Sequence, residues 1–152
     1  MSVRIVSWNT KDPNTAGILR VAAVFGAESI VFARKPKSMH AACGHQSRVP
    51  WAVRSPAAAA RYLAACAIQG YAVVALENSV RGVLLPDACL PEHIVLLLGN
   101  EGNGLPTWAL NAASLVVEIP QLGRDDCMNV ACAASIALYA WAARWVYGRR
   151  VA

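Results

Sequence analysis

Residues 93–106 read "HIVLLLGNEGNGLP". A run of six residues, five of them apolar, ends abruptly in a glycine-rich turn, and it does not alternate apolar with polar. A strand with one wet face alternates, whereas a strand covered on both faces does not, and that is the habit of parallel sheets. Four other short runs share the character: 4–8 "RIVSW", 29–33 "SIVFA", 71–77 "YAVVALE" and 115–119 "LVVEI". Helical stretches fall between and after them, at about 14–26, 56–69, 106–112 and 128–147. Strands alternating with helices predict an α/β fold, a mostly parallel sheet with helices on both faces. The lone carboxylate in the turn, Glu101, is not accounted for by turn chemistry.

The helices carry their own signals. Ser55 and Pro56 stand as N-cap and first helical residue of 56–69. Ile18, Val21, Ala22 and Phe25 follow the i, i+3, i+4, i+7 spacing and should face the sheet. Arg20 lies about 200° round the helix from Ile18 and should point away from it. The last helix sets Val130, Ala134, Leu138, Trp141 and Trp145 on one stripe, and its other faces are also small or apolar. A helix apolar all round is buried on more than one side. The expectation is a homodimer through this helix, with Trp141 and Trp145 in the interface.

The 152 residues fit a single domain, 1–152. Hydrophobic residues make up 57% and charged ones 15%, an excess that also suggests a buried subunit face. The net charge is +5, with 11 Arg against 3 Lys. Arg suits bidentate phosphate contacts, although a basic balance alone does not establish a nucleic-acid partner. Five Cys, an odd number without a C-x-x-C pair, read as reduced thiols rather than a disulfide framework. His40, Cys43 and His45 are too irregular for a metal site, so no metal is expected. "MSVRIVSW" is not a signal peptide, and the uncharged run 130–143 falls short of the roughly 20 residues of a span. A cytoplasmic protein without a membrane partner is expected.

Three loops could hold a ligand. "GNEGNG" is neither a P-loop nor a dinucleotide fingerprint, since no Gly-Lys-Ser/Thr follows and the glycine spacing of 99, 102, 104 is wrong. Glycines after a parallel strand still let a backbone approach a ligand closely. The segment 119–129, "IPQLGRDDCMN", again joins a buried strand to a helix, and Asp125 or Asp126 could cap that helix. In "DPNTAGILR" at 12–20, Asn14 is a candidate N-cap.

Together the three are more specific. P-N-x-x-G-I-L-R, then L-G-N-E-G-x-G-L-P, then I-P-x-L-G-x-x-x-C-M-N-V-A-x-A resemble, in order and spacing, the three motifs of the SpoU/TrmH family. The match covers about a third of the chain, at 12–26, 94–106 and 119–141. The family's enzymes are RNA ribose 2′-O-methyltransferases that use S-adenosylmethionine. The resemblance implies a C-terminal deep trefoil knot, a feature generic topology rules disfavour, and a homodimer packed through the C-terminal helices. It implies that the methyl donor lies against Leu76, Gly99, Asn100, Gly102, Ile119, Pro120, Leu122, Cys127 and Met128. It places Arg20, Asn14, Glu101 and Asn129 at the reacting end. A buried carboxylate needs partners, and Asn14 and Arg20 are the natural ones for Glu101. Arg20 would either activate the ribose hydroxyl or bind phosphate and steady the developing oxyanion; a free pKa above about 12 favours the second role. Cys127 stands where the family usually has Ser, and Ala131 where it often has Ser again. The expected substrate is RNA, tRNA rather than rRNA because no added RNA-binding domain is visible. A knotted methyltransferase of a small nucleoside-like metabolite, or a non-catalytic module binding RNA or S-adenosylmethionine, are the alternatives.

Overall fold

The computed structural model describes residues 1–9, 11–35, 48–79, 82–123 and 128–147. Seven strands form one sheet: β1 (Ser2–Ser7), β2 (Ser29–Phe32), β3 (Trp51–Val53), β4 (Ala72–Leu76), β5 (Val83–Leu84), β6 (His93–Leu98) and β7 (Leu115–Glu118). Among the described residues four α-helices accompany them: α1 (Asp12–Val24), α2 (Pro56–Ile68), α3 (Thr107–Ala112) and α4 (Val130–Ala142), the last continuing as a π-helical turn at Ala143–Tyr147. The strand order is β3-β2-β1-β6-β4-β7-β5, and every pairing is parallel. All the carboxyl ends therefore share one edge, and the loops after β1, β4, β6 and β7 converge there.

The unbroken apolar run of β6 is explained by its two neighbours. Ile94, Leu96 and Leu98 enter one core with Ile18 and Ala22 of α1 and Ala134, Leu138 and Trp141 of α4. Val95 and Leu97 enter a second core with Ala59 and Leu63 of α2 and Ala109 of α3. Side chains alternate between the faces of a strand, so a strand between two cores must be apolar at every step.

Where structure and sequence differ, the reason is local. Helix α1 begins at Asp12, earlier than expected, with Pro13 in its first turn, and Lys11 at the N-cap makes no side-chain cap bond. Asn14 is thus not a cap, which leaves its amide for tertiary bonds. Ser55 caps α2 as expected, its Oγ accepting from the Ala58 N–H at 3.3 Å. Strand β3 has only three residues at the sheet edge, directly after Pro50, and β5 only two; runs that short carry no periodicity to read.

The last helix corrects one expectation. Trp141 is buried within the chain itself, its indole N–H donating to the Pro91 carbonyl at 3.2 Å. The Trp145 indole likewise donates to the Leu90 carbonyl at 2.9 Å. Trp141 therefore belongs to this chain's own core, and Trp145, half-buried, packs against that core. The sheet face and the segment before β6 cover the Trp141 side of the helix, while Ile136 and Tyr139 on the same helix stay exposed. By length and hydropathy alone Val130–Tyr147 could cross a membrane, but these contacts make its stripe a core face.

Candidate active site

The glycine loop after β6 is shaped by space rather than by unusual torsion at its start. A Cβ on Gly99 would lie 2.7 Å from the Gly104 carbonyl carbon and 2.9 Å from the Leu105 nitrogen. Asn100 and Gly104 exchange backbone bonds in both directions, at 3.0 and 2.7 Å, and Gly104 takes a φ of 61° that favours glycine. The Asn100 side chain accepts from the Gly102 N–H at 2.9 Å. The loop is a tight, cross-braced hairpin that carries Glu101 at its turn.

Glu101 is held by three side chains from two other segments. Lys11 Nζ donates to Oε2 at 2.5 Å, Asn14 Nδ2 donates to Oε1 at 2.7 Å, and Asn129 Nδ2 reaches the same Oε1 at 3.3 Å. Asn129 also donates to Asn14 Oδ1 at 2.8 Å, while its own Oδ1 accepts from the Ala131 and Cys132 N–H groups and caps α4. Behind Asn14 lies Asn9, wholly buried, whose amide donates to the Lys11 carbonyl and to Thr15 Oγ1 at 2.9 and 3.1 Å. The bonds from Lys11 and then Asn14 hold the Glu101 carboxyl below the ordinary glutamate range, outweighing its desolvation. It is an anion at neutral pH, an acceptor and an orienting group rather than an acid.

Beside this cluster is a cavity of about 310 Å³. The loop after β4 contributes Leu76, Glu77 and Asn78; the glycine loop contributes Leu98 to Gly102 and Gly104; the segment after β7 and the start of α4 contribute Ile119, Gln121, Met128, Val130 and Ala133. Of the residues expected to hold a donor, Leu76, Gly99, Asn100, Gly102, Ile119 and Met128 form its wall. Pro120 and Leu122 do not: both are exposed, Leu122 completely. From the same segment Ile119 and Gln121 do line the cavity, Ile119 half-buried and Gln121 at its exposed rim. Cys127, with Asp125 and Asp126, lies outside the described residues, as do His40, Cys43 and His45.

Asn14, Glu101 and Asn129 are brought together as expected. Arg20 is not part of their cluster: it is exposed on α1, and the cation on Glu101 is Lys11. Spacing alone could not separate the two, because the earlier start of α1 puts Lys11 at the mouth of the site and leaves Arg20 two turns down the helix. Sequence reasoning also missed Glu77, Gln121 and the buried Asn9. A polar residue directly after a buried strand, as Glu77 follows β4, was the available signal.

Helices α1 and α4 meet near this cluster. A Cβ on Gly17 would fall 2.6 Å from the Ala131 Cβ. The glycine of the first motif is thus what lets α4 come close enough for Asn129 to reach Asn14.

A parallel sheet, a carboxylate cluster joining three loops and a cavity at the carboxyl edge define a class that sequence comparison makes specific. Residues 2–139 match the SpoU rRNA Methylase family, and the chain belongs to it. Similar proteins include the tRNA (guanosine(18)-2'-O)-methyltransferase TARBP1 of Mus musculus, 26% identical over 95% of this chain and 9% of the mouse protein. Among solved structures, the AdoMet-bound rRNA methyltransferase from Sinorhizobium meliloti superposes with a TM-score of 0.81 at 26% identity, over 94% of this chain and 56% of that one. A structure described as giving insights into 2-OH methylation of C/U34 on tRNA superposes with a TM-score of 0.72 at 27% identity, over 97% and 93% of the two chains. Among the curated relatives, this chain spans 9% of the mouse protein and 42% of an uncharacterized tRNA/rRNA methyltransferase from Mycobacterium bovis.

Proposed function

We propose that this protein transfers a methyl group from S-adenosylmethionine to a ribose 2′-hydroxyl of RNA, with tRNA rather than rRNA as substrate. The observation that carries the reading is the Lys11–Glu101–Asn14–Asn129 cluster at the wall of a cavity of donor size. The cavity suits the donor. Its volume falls in the range of small-ligand sites, its apolar walls of Leu76, Leu98, Ile119 and Val130 suit a nucleoside, and its glycine loop offers backbone groups at close range. S-adenosylmethionine supplies an electrophilic methyl on a sulfonium. The chain's own task is to align a weak nucleophile with it.

Glu101 performs that alignment by accepting from the ribose hydroxyl, while Asn14 and Asn129 fix the carboxylate and Lys11 keeps it ionised. Arg20 contacts an RNA phosphate and steadies negative charge on the oxygen. The strand approaches over the carboxyl ends of β1 to β3. Exposed Arg34, Lys35 and Arg54 stand along that edge, and a small hollow of about 90 Å³ beside the glycine loop is lined by Trp8, Arg34, Asn103 and Pro106. Cations with a nearby aromatic ring suit single-stranded RNA. The family names of the relatives, one of them a tRNA guanosine 2'-O enzyme, support the choice of substrate.

The same reading includes a C-terminal trefoil knot in a single domain and a homodimer in the cytoplasm. The close packing of α4 against α1 at Gly17 and Ala131 supports the first. The dimer face is the exposed side of α4, where Ile136 is 40% and Tyr139 59% exposed. The decisive experiment incubates the protein with labelled donor and total tRNA or rRNA, followed by nuclease mapping. Label on a 2′-O-methylated nucleotide of tRNA is expected. Donor binding with no label in either RNA pool refutes the reading.

A further inference from the structure

Glu101 is not the cavity's only carboxylate. Glu77, immediately after β4, stands in its wall. Its Oε2 accepts from the Leu105 N–H at 2.8 Å. The carboxylate also packs on the glycine loop so closely that a Cβ on Gly104 would meet Oε2 at 2.8 Å and Oε1 at 3.0 Å. Gly104 therefore leaves room for this group as well as making the turn.

The two carboxylates differ in their compensation. Glu101 is matched by Lys11. Among the described residues no Lys or Arg pairs with Glu77, whose one side-chain partner is a backbone N–H. Among the described residues, the Glu77 carboxylate thus faces the cavity without a protein cation, at a part-buried wall where water screens charge less than on open surface. A charge left so is satisfied by a cationic ligand, and the methyl donor is one. Its product, S-adenosylhomocysteine, has lost the sulfonium charge and keeps every other group.

We propose that Glu77 is the counter-charge of the donor's sulfonium, so that the cavity prefers the charged donor and releases the neutral-sulfur product. The inference rests on the reading of this cavity as the donor site. It assigns Glu77 to binding and to donor–product discrimination rather than to activation of the hydroxyl.

The test is titration calorimetry of S-adenosylmethionine and S-adenosylhomocysteine with wild-type protein and with Glu77→Gln, whose amide oxygen can still accept from Leu105. Wild type should bind the donor more tightly than the product. The variant should weaken donor binding about tenfold, a change read directly in Kd, and product binding less than about twofold. Glu77→Asp, which keeps the charge, should keep most of the preference. Equal losses for both ligands would assign Glu77 to a group they share, such as the ribose diol or the ammonium, and would overturn the proposal. So would a wild type that binds the product more tightly, whatever the variants do. Wild-type protein that binds neither ligand would instead overturn the reading of the cavity, and this proposal with it.

Discussion

Replacing Gly99 by Ala perturbs the loop by a single methyl with no change of preferred backbone region, since Gly99 does not have a positive φ. The new Cβ would stand 2.7 Å from the Gly104 carbonyl carbon, 2.9 Å from the Leu105 nitrogen and 3.0 Å from the Gly104 Cα. All three are backbone atoms, and the Asn100–Gly104 bonds brace them, so no side chain can swing aside. The hairpin must open by several tenths of an ångström. Overpacking of this kind costs about 1–3 kcal/mol, which in a chain of this length lowers Tm by roughly 3–10 °C. Because the displaced backbone is also the cavity wall, donor affinity should fall by at least about tenfold. Gly102→Ala is the control in the same loop. Its Cβ would meet only the Asn100 Oδ1, at 3.5 Å, an ordinary contact, so stability should stay within about 0.5 kcal/mol. Thermal unfolding and calorimetry of both variants decide the matter. Equal effects of the two, or a neutral Gly99→Ala, would refute the argument that close backbone approach makes Gly99 necessary.

Gly17→Ala should destabilise despite the helix propensity of Ala, because of the 2.6 Å approach to Ala131, and Ala131→Gly should restore it in urea titrations of the single and double variants. Trp141→Ala should remove about 3–5 kcal/mol from the fold itself, whereas Ile136→Glu should leave the fold intact and dissociate the proposed dimer in sedimentation. Glu101, with its folded-state pKa depressed, contributes stability that is fully present above the ordinary glutamate pKa near 4.3 and lost as pH falls through the lower folded value. Acid unfolding should therefore be shallower in Glu101→Gln than in wild type. Arg20→Ala should leave donor binding unchanged while turnover collapses, and parallel loss of donor affinity in calorimetry would contradict its assignment to phosphate.

The strands were readable because burial on both faces left them no polar positions. The run 93–98 coincides with β6, and the other four runs overlap β1, β2, β4 and β7 within two residues at each end. The short edge strands β3 and β5 left no such mark, since their pairing is decided by neighbours rather than by pattern. At the site, the glycine loop, Asn14, Glu101 and Asn129 were legible through their spacing within three motifs. Their assembly follows from α1 and α4 crossing at Gly17, an approach no local propensity specifies.

The amino-acid sequence by itself determined the α/β class, the parallel character of the sheet, the family and the three loops that converge, because each rests on residue type and short-range spacing. Only the tertiary structure decided what depends on contacts between distant segments. It chose Lys11 over Arg20 as the partner of Glu101, put Ile119 and Gln121 but not Pro120 and Leu122 against the cavity, and drew Trp141 into the chain's own core. It also set Glu77 in the cavity wall, with no cation paired to it among the described residues. Charge pairing and side-chain direction are properties of packed neighbours, and those neighbours lie tens of residues apart until the sheet brings them to one edge.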